Sequence, residues 1–224
     1  LLFSGGPGDR NGYSLEYRAR IPWRSDSETT AMSLLTATLP LDYLEVHGAN
    51  RARQLAFDMA SQLRFASGHA GLALDVYRFL PLRDDAFRAE VLRHPGIDLR
   101  AAWSRQQWLG LRVDGVHWLN FLGPSVLAHL GDARSLRSRL RSTETTLIDL
   151  SDGRVLVSLG EQPESGDLDT GRALPAYREL AQVLEPWLEP FFLLPTTVAE
   201  DPPRYTALRL TEPEARHWWG RFLD

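Results

Sequence analysis

Thr145-Thr146-Leu147-Ile148-Asp149-Leu150-Ser151-Asp152-Gly153-Arg154-Val155-Leu156-Val157-Ser158-Leu159 is the stretch that decides the fold class. Two runs rich in aliphatic and β-branched residues, 145–150 and 154–159, flank Asp152-Gly153. Asp and Gly tolerate the positive φ that a type I′ turn needs at both central positions. The segment therefore predicts an antiparallel hairpin closed by a two-residue turn. Helical patterns lie on either side of it, so the expected class is α+β, with mixed or antiparallel sheets and packed helices.

Working outward, Tyr13 to Ile21 alternates apolar with polar residues, the period of a strand with one buried face. Met32 to Leu39 reads as a second strand, ended by Pro40. Asp42 to Val46 predicts a short helix stopped by Gly48, and Asn50 can cap a longer one to about Leu63, with Leu55, Met59 and Leu63 on one face. His69 to Val76 predicts a strand, and Asp84 to Leu92 a helix that His94-Pro95-Gly96 terminates. Trp108 to Phe121 predicts a hairpin turning near Asp114-Gly115. Helices are expected at 125–130, 133–140 and 175–184, the last with Pro175 in its first turn. Glu161 to Arg172 is an acidic, glycine-containing loop, and Tyr205 to Leu210 reads as a final strand. Thr211-Glu212-Pro213-Glu214 fits a capping box opening a helix through Trp218 and Trp219, which as neighbours on a helix cannot face the same way, so one is expected to be exposed or partly so.

The sequence opens without methionine. Gly5 to Gly12 is glycine-rich, so residues 1–12 are expected to be a flexible N-terminal segment and 13–224 a single α+β domain. At an offset of 83 residues, Leu39, Leu44, Gly48 and Arg51 recur as Leu122, Leu127, Gly131 and Arg134. This suggests a duplication into two ββα-strand-α halves, about 13–98 and 105–190.

With 224 residues and 43% apolar content the chain can bury a core without disulfides or metals. It has no cysteine, which excludes thiolate nucleophiles and zinc–thiolate sites. No apolar run approaches the roughly 20 residues of a membrane span, and no signal peptide is recognisable, so the expected location is cytoplasmic, with no membrane partner. All 25 basic residues are arginine, which excludes a Walker A loop, a Schiff base and lysine-dependent nuclease motifs. Charge is uneven: residues 1–141 carry 18 Arg against 14 Asp and Glu, residues 142–224 only 7 against 15. The acidic half repels phosphate backbones and suits a basic partner, so no nucleic-acid binding is expected.

The sequence contains no Gly-x-Ser-x-Gly elbow, His-Glu-x-x-His helix, dinucleotide fingerprint or EF-hand loop. The six histidines, His47, His69, His94, His117, His129 and His217, form no pair at i, i+2 or i, i+4. His69 and His117 read as hydrogen-bonded core or turn histidines, with a general base or ligand as the alternative. Asp9, Asp114 and Asp152 read as turn residues. Trp103, Trp108 and Trp118 read as core. No catalytic residue, cofactor site, cofactor or metal ligand is assigned, and neither nuclease, protease nor esterase activity is expected.

Five segments carry a family resemblance: Leu39-Pro40-Leu41-Asp42-Tyr43-Leu44-Glu45-Val46-His47-Gly48, Ser67-Gly68-His69-Ala70-Gly71-Leu72-Ala73-Leu74, Arg93-His94-Pro95-Gly96-Ile97-Asp98, Gly115-Val116-His117-Trp118-Leu119-Asn120-Phe121-Leu122-Gly123-Pro124 and Leu174-Pro175-Ala176-Tyr177-Arg178-Glu179-Leu180. In this order and spacing, over roughly residues 13–190, the chain resembles the bacterial type VI secretion immunity proteins paired with VRR-NUC nuclease effectors. The resemblance implies a cytoplasmic, non-catalytic antitoxin whose partner is a cognate toxin, a nuclease, blocked at its substrate-binding site. The acidic loop residues Glu161, Glu164, Asp167 and Asp169 are the expected partner contacts, with Arg154 and Arg172 the basic residues nearest in sequence. Two rival classes are an enzyme using a His/carboxylate cleft and a structural subunit of a secretion assembly.

Overall fold

The computed structural model describes residues 2–4, 11–20, 32–74, 85–99, 109–191 and 210–223. Its strands are β1 (Leu2–Ser4), β2 (Ser14–Arg18), β3 (Leu34–Thr38), β4 (Ser67–Ala70), β5 (Leu72–Ala73), β6 (Ile97–Asp98), β7 (Leu119–Leu122), β8 (Thr145–Leu150) and β9 (Arg154–Leu159). Its helices are α1 (Leu41–Ser61), α2 (Asp85–Leu92), α3 (Pro124–Leu130), α4 (Ala133–Arg139), α5 (Pro175–Leu184) and α6 (Glu212–Gly220). The antiparallel sheets and packed helices make this an α+β fold. The chain divides into two units, residues 1–63 with 101–111, and residues 64–100 with 112–224.

The first unit holds an antiparallel sheet of order β1-β2-β3. β1 lies inside the segment expected to be flexible. The register pairs Phe3 with Leu15, Leu15 with Ala37 and Tyr17 with Leu35, so these residues share one face. The alternation in β2 predicts that this apolar face is buried; it is instead the more exposed one. Tyr13 is 39% exposed, Leu15 37%, Tyr17 44% and Phe3 57%, while Ser14, Glu16 and Arg18 are partly covered. Periodicity reports that a strand has two chemically distinct faces; it does not say which of them the rest of the chain covers.

The second unit is built on an antiparallel sheet of order β4-β7-β9-β8. Every residue of β7 and β9 is buried. The amphipathic α5 contributes Tyr177, Leu180, Ala181 and Leu184 to the core. Val91, Leu99, Leu210, Ala215 and Trp218 form a further buried cluster, with Trp219 partly buried against it. β5 and β6 make a short parallel pair. The capping box at Thr211 and Glu214 opens α6 as predicted.

Three further elements differ from the sequence expectation. The β8–β9 hairpin is present and Asp152 and Gly153 both have positive φ, at 62° and 69°. The loop nevertheless has three residues, because Leu150 pairs with Arg154 and Ser151 joins the turn. The hairpin expected over 108–121 does not form: both edges of β7 are occupied, by β4 and β9, so residues 109–118 have no ladder to join. The strand expected over 69–76 breaks at Gly71 into β4 and β5, with residues 75 and 76 outside the described set. Trp103, Trp108 and residues 205–209 of the expected last strand also lie outside the described residues.

α1 kinks at Gly48, where φ is 77° and ψ 163°. Gly131, between α3 and α4, has φ 89° and ψ −178°. Both conformations belong to a region that is essentially glycine's alone. The two helix pairs therefore turn in the same way at positions 83 residues apart. Asp132 then caps α4, accepting bonds from the Ser135 N–H and hydroxyl at 2.8 Å each, and these bonds hold its carboxyl below its ordinary pKa.

Gly48→Ala and Gly131→Ala are each expected to destabilise by about 1–3 kcal/mol through backbone strain. Gly131→Ala is expected to cost more. A methyl at Gly131 would lie 2.7 Å from Ser135 Cβ, whereas one at Gly48 meets nothing within 4 Å. Urea unfolding of the two variants checks the order; a neutral Gly131→Ala contradicts it.

Candidate functional site

Two polar constellations stand out in the second unit. The first is the acidic loop. Of its four expected contact residues, Glu161, Glu164 and Asp169 are exposed, but Asp167 is buried. Arg93, which follows α2, reaches Asp167 with two charge-assisted bonds, Nε to Oδ1 and Nη2 to Oδ2, each 2.6 Å. Arg93 Nε also lies 3.3 Å from the Asp169 carboxylate. Asp167 Oδ1 further accepts the backbone N–H groups of Asp169 and Thr170. Its backbone exchanges bonds with that of Arg172 at 3.1 and 2.9 Å.

The loop is thus clamped to the turn after α2. The Gly96 N–H donates to Ser165 O at 2.8 Å, the Leu168 N–H to Arg93 O at 3.0 Å, and His94 Nδ1 lies 2.6 Å from Gly166 O. A methyl at Gly96 would collide with Glu164 O, so the close approach requires glycine. Arg221, buried after α6, steadies the same turn by donating from Nε to Pro95 O at 2.8 Å. The hydrogen bonds from Arg93 hold the Asp167 carboxyl far below the usual carboxylate range, and Asp167 in turn pushes the Arg93 guanidinium upward. Burial pushes the Tyr177 hydroxyl well up, beside the backbone of Glu164.

The second constellation joins His69 on β4, Asp98 on β6, and Asp114 and His117 on the connection into β7. His69 Nε2 lies 3.6 Å from Asp98 Oδ2, and His69 Nδ1 lies 3.5 Å from Asp114 Oδ2. The rings of His69 and His117 stack with centroids 3.7 Å apart and 14° between planes. One ligand atom from each of the four residues falls within 4.8 Å of the others. Asp98, Asp114 and His117 are buried; His69 is partly exposed.

Backbone contacts place each member. His69 is paired with Asn120 in the β4–β7 register. The Asn120 side chain accepts the His117 N–H at 3.0 Å and donates to His117 O at 2.7 Å. The Val113 N–H donates to Trp187 O, and Val113 O accepts the Glu189 N–H, both at 2.9 Å, which fixes the residue before Asp114. Asp98 O accepts the Leu74 N–H at 2.9 Å.

Reading Asp114 as a turn residue misses this grouping, because Asp114 lies 45 residues from His69 and 16 from Asp98 along the chain. The usable signal is an acid and a histidine three residues apart in the apolar run Val113-Asp114-Gly115-Val116-His117. A surface groove lined by Pro124, Leu127, Asp132, Leu150 and Arg154 lies elsewhere and includes none of the four.

A family model described as TsiV, type VI immunity for VRR-NUC, matches residues 7–222, and the chain belongs to that family. Among solved structures, a Pseudomonas aeruginosa T6SS protein, PA0821, matches with a TM-score of 0.72 at 22% identity. The alignment covers 94% of this chain and 58% of that one, so this chain spans little more than half of that chain's length. At that identity the likeness shows the fold. No curated protein matches. Among the described residues no helix is long and apolar enough to cross a membrane.

The Arg93–Asp167 clamp has a predictable pH dependence. The folded-state pKa of Asp167 is depressed. Its contribution is therefore complete above the ordinary carboxylate pKa of about 3.9 and is lost as pH falls toward the folded-state value. Asp167→Asn is expected to lower the thermal midpoint at neutral pH, and the gap from the wild type should shrink below about pH 4. Thermal unfolding followed across pH checks this; identical midpoints near neutrality contradict it.

Proposed function

We propose that this chain, as a member of the type VI immunity family, is a cytoplasmic, non-catalytic antitoxin that binds a VRR-NUC nuclease effector and occludes its substrate-binding site. The observation that carries the reading to a surface is the exposed apolar face of the β1-β2-β3 sheet. Phe3, Tyr13, Leu15 and Tyr17 present aromatic and aliphatic side chains where a strand bordering solvent ordinarily presents polar ones. Tyrosine is among the residues that dominate binding energy at protein interfaces.

Electrostatics supply the second component. A nuclease presents cationic groups to phosphate, and the exposed carboxylates Glu161, Glu164 and Asp169 can compete for them. Such charges act chiefly on association rate and specificity. Asp167 serves the same loop from inside, by fixing its shape. Neither nucleic acid nor membrane is a partner in this reading.

The rival reading, an enzyme with a His/carboxylate cleft, gains a specific observation in the cluster around His69. Its weakness is access, because Asp98, Asp114 and His117 are buried and only His69 reaches toward solvent. Turnover by the purified chain that His69→Ala abolishes without unfolding would favour the enzyme.

Leu15→Asp and Tyr17→Asp are each expected to weaken toxin binding by about 30-fold or more, the scale of a hot-spot loss above 2 kcal/mol. Circular dichroism should show the fold intact, since both side chains are exposed. Titration calorimetry with the toxin and survival on toxin co-expression provide the readout. Full affinity and full protection in both variants would exclude this face. In parallel, Glu161→Gln, Glu164→Gln and Asp169→Asn combined should slow association at low salt and flatten its salt dependence. An unchanged on-rate at both salt concentrations removes the loop from the interface.

A further inference from the structure

We propose that His69, Asp98, Asp114 and His117 form a structural site for one divalent transition cation, zinc foremost, within the second unit. The donor set is two imidazoles and two carboxylates, gathered from β4, β6 and the connection into β7. Imidazole with carboxylate suits zinc and its neighbours, whereas magnesium and calcium prefer oxygen alone.

Spacing fits as well. Histidine nitrogen and carboxylate oxygen bind zinc at about 2.0–2.2 Å, so two ligands of a tetrahedral ion lie about 3.3–3.6 Å apart. Each ring nitrogen of His69 approaches one carboxylate, Nδ1 to Asp114 at 3.5 Å and Nε2 to Asp98 at 3.6 Å, longer than an ordinary hydrogen bond, and whichever contact faces the ion has the spacing of two of its ligands. His69 can give the ion only one nitrogen. Its other nitrogen then faces the second carboxylate, the arrangement in which an outer carboxylate orients a metal-bound imidazole. That carboxylate retains its other oxygen for the ion.

Charge points the same way. Two carboxylates brought together in a buried cluster repel each other and lose hydration. A dication neutralises both at once. The backbone bonds around Val113, His117 and Asp98 fix the main chain that carries the ligands, and the stacked His69 and His117 rings, whose in-plane lone pairs run nearly parallel, must turn for both to reach one ion. Four protein ligands also complete the coordination of zinc, which marks a structural role. The ion would staple β4, β6 and the Val113–Trp118 connection.

The experiment uses the full chain, free of any affinity tag, stripped with a chelator and titrated with Zn²⁺ alone by calorimetry. Co²⁺ serves as a spectroscopic probe. One Zn²⁺ per chain, intense visible Co²⁺ bands of a tetrahedral site and a metal-dependent rise in thermal midpoint are expected. His117→Ala and Asp114→Asn should each weaken Zn²⁺ binding by about 10- to 100-fold or more. Should those variants fail to fold in the stripped form, His69→Ala, at a partly exposed position, carries the test by the same criterion. His47→Ala, on α1 in the other unit, should leave affinity and stoichiometry unchanged. Absence of a 1:1 complex overturns the site, and so does Zn²⁺ binding that His69→Ala and His117→Ala both leave intact. The outcome is independent of the toxin assays.

Discussion

β7 is the constraint on which the second unit depends. Its four residues are buried on both faces and its two edges are bonded to β4 and β9. A central strand in that position has no free hydrogen-bonding edge left to offer. The chain entering it must therefore satisfy its backbone by other means. Asn120 does this from within the strand, using its side-chain oxygen and amide to close a ring with the backbone of His117. A buried asparagine with its donors and acceptors engaged fixes geometry more tightly than an apolar residue of similar size, because any shift leaves a polar group unmet. The position of His117 beneath His69 is a consequence of that constraint, as is the absence of a hairpin over 109–118.

A comparable logic governs the acidic loop. In sequence the nearest cations to its carboxylates are only Arg154 and Arg172. In the structure Arg154 is buried beside Phe65 and near Asp152, and Arg172 engages Asp167 through its backbone. The cation that matters is Arg93, 74 residues away. Four acidic residues within nine positions thus divide into one that shapes the loop and three that face solvent. Composition alone treats them as equivalent; burial separates them.

Elements specified by local chemistry were legible in the residues. The Thr211–Glu214 capping box, the glycine stops at Gly48 and Gly131, the Pro175 helix start and the Asp152-Gly153 hairpin all depend on contacts within a few residues. What stayed hidden depends on pairing across the chain. β1 and β6 are too short to show periodicity, and β6 exists because Leu72 and Ala73 lie alongside it. The His69 cluster needs β4, β6 and β7 in register before its members meet. Its histidines look like ordinary core residues one at a time, and only their convergence with two aspartates gives them chemical meaning.

The exposed sheet face and the buried cluster obey opposite rules. Apolar side chains left in water contribute little to folding, since stabilisation by burial amounts to about 25 cal/mol per Å² removed from solvent. The exposed parts of Phe3, Tyr13, Leu15 and Tyr17 therefore add little to the stability of the isolated chain. Polar residues in the interior present the reverse case. Moving His69, Asp98, Asp114 and His117 out of water is costly and must be offset within the folded molecule, by hydrogen bonds, opposite charge or a bound cation. Residues of the first kind can change while the fold survives. Residues of the second kind are tied to one another through the strands that carry them, and substitution at one leaves the remaining three in an environment that no longer suits them.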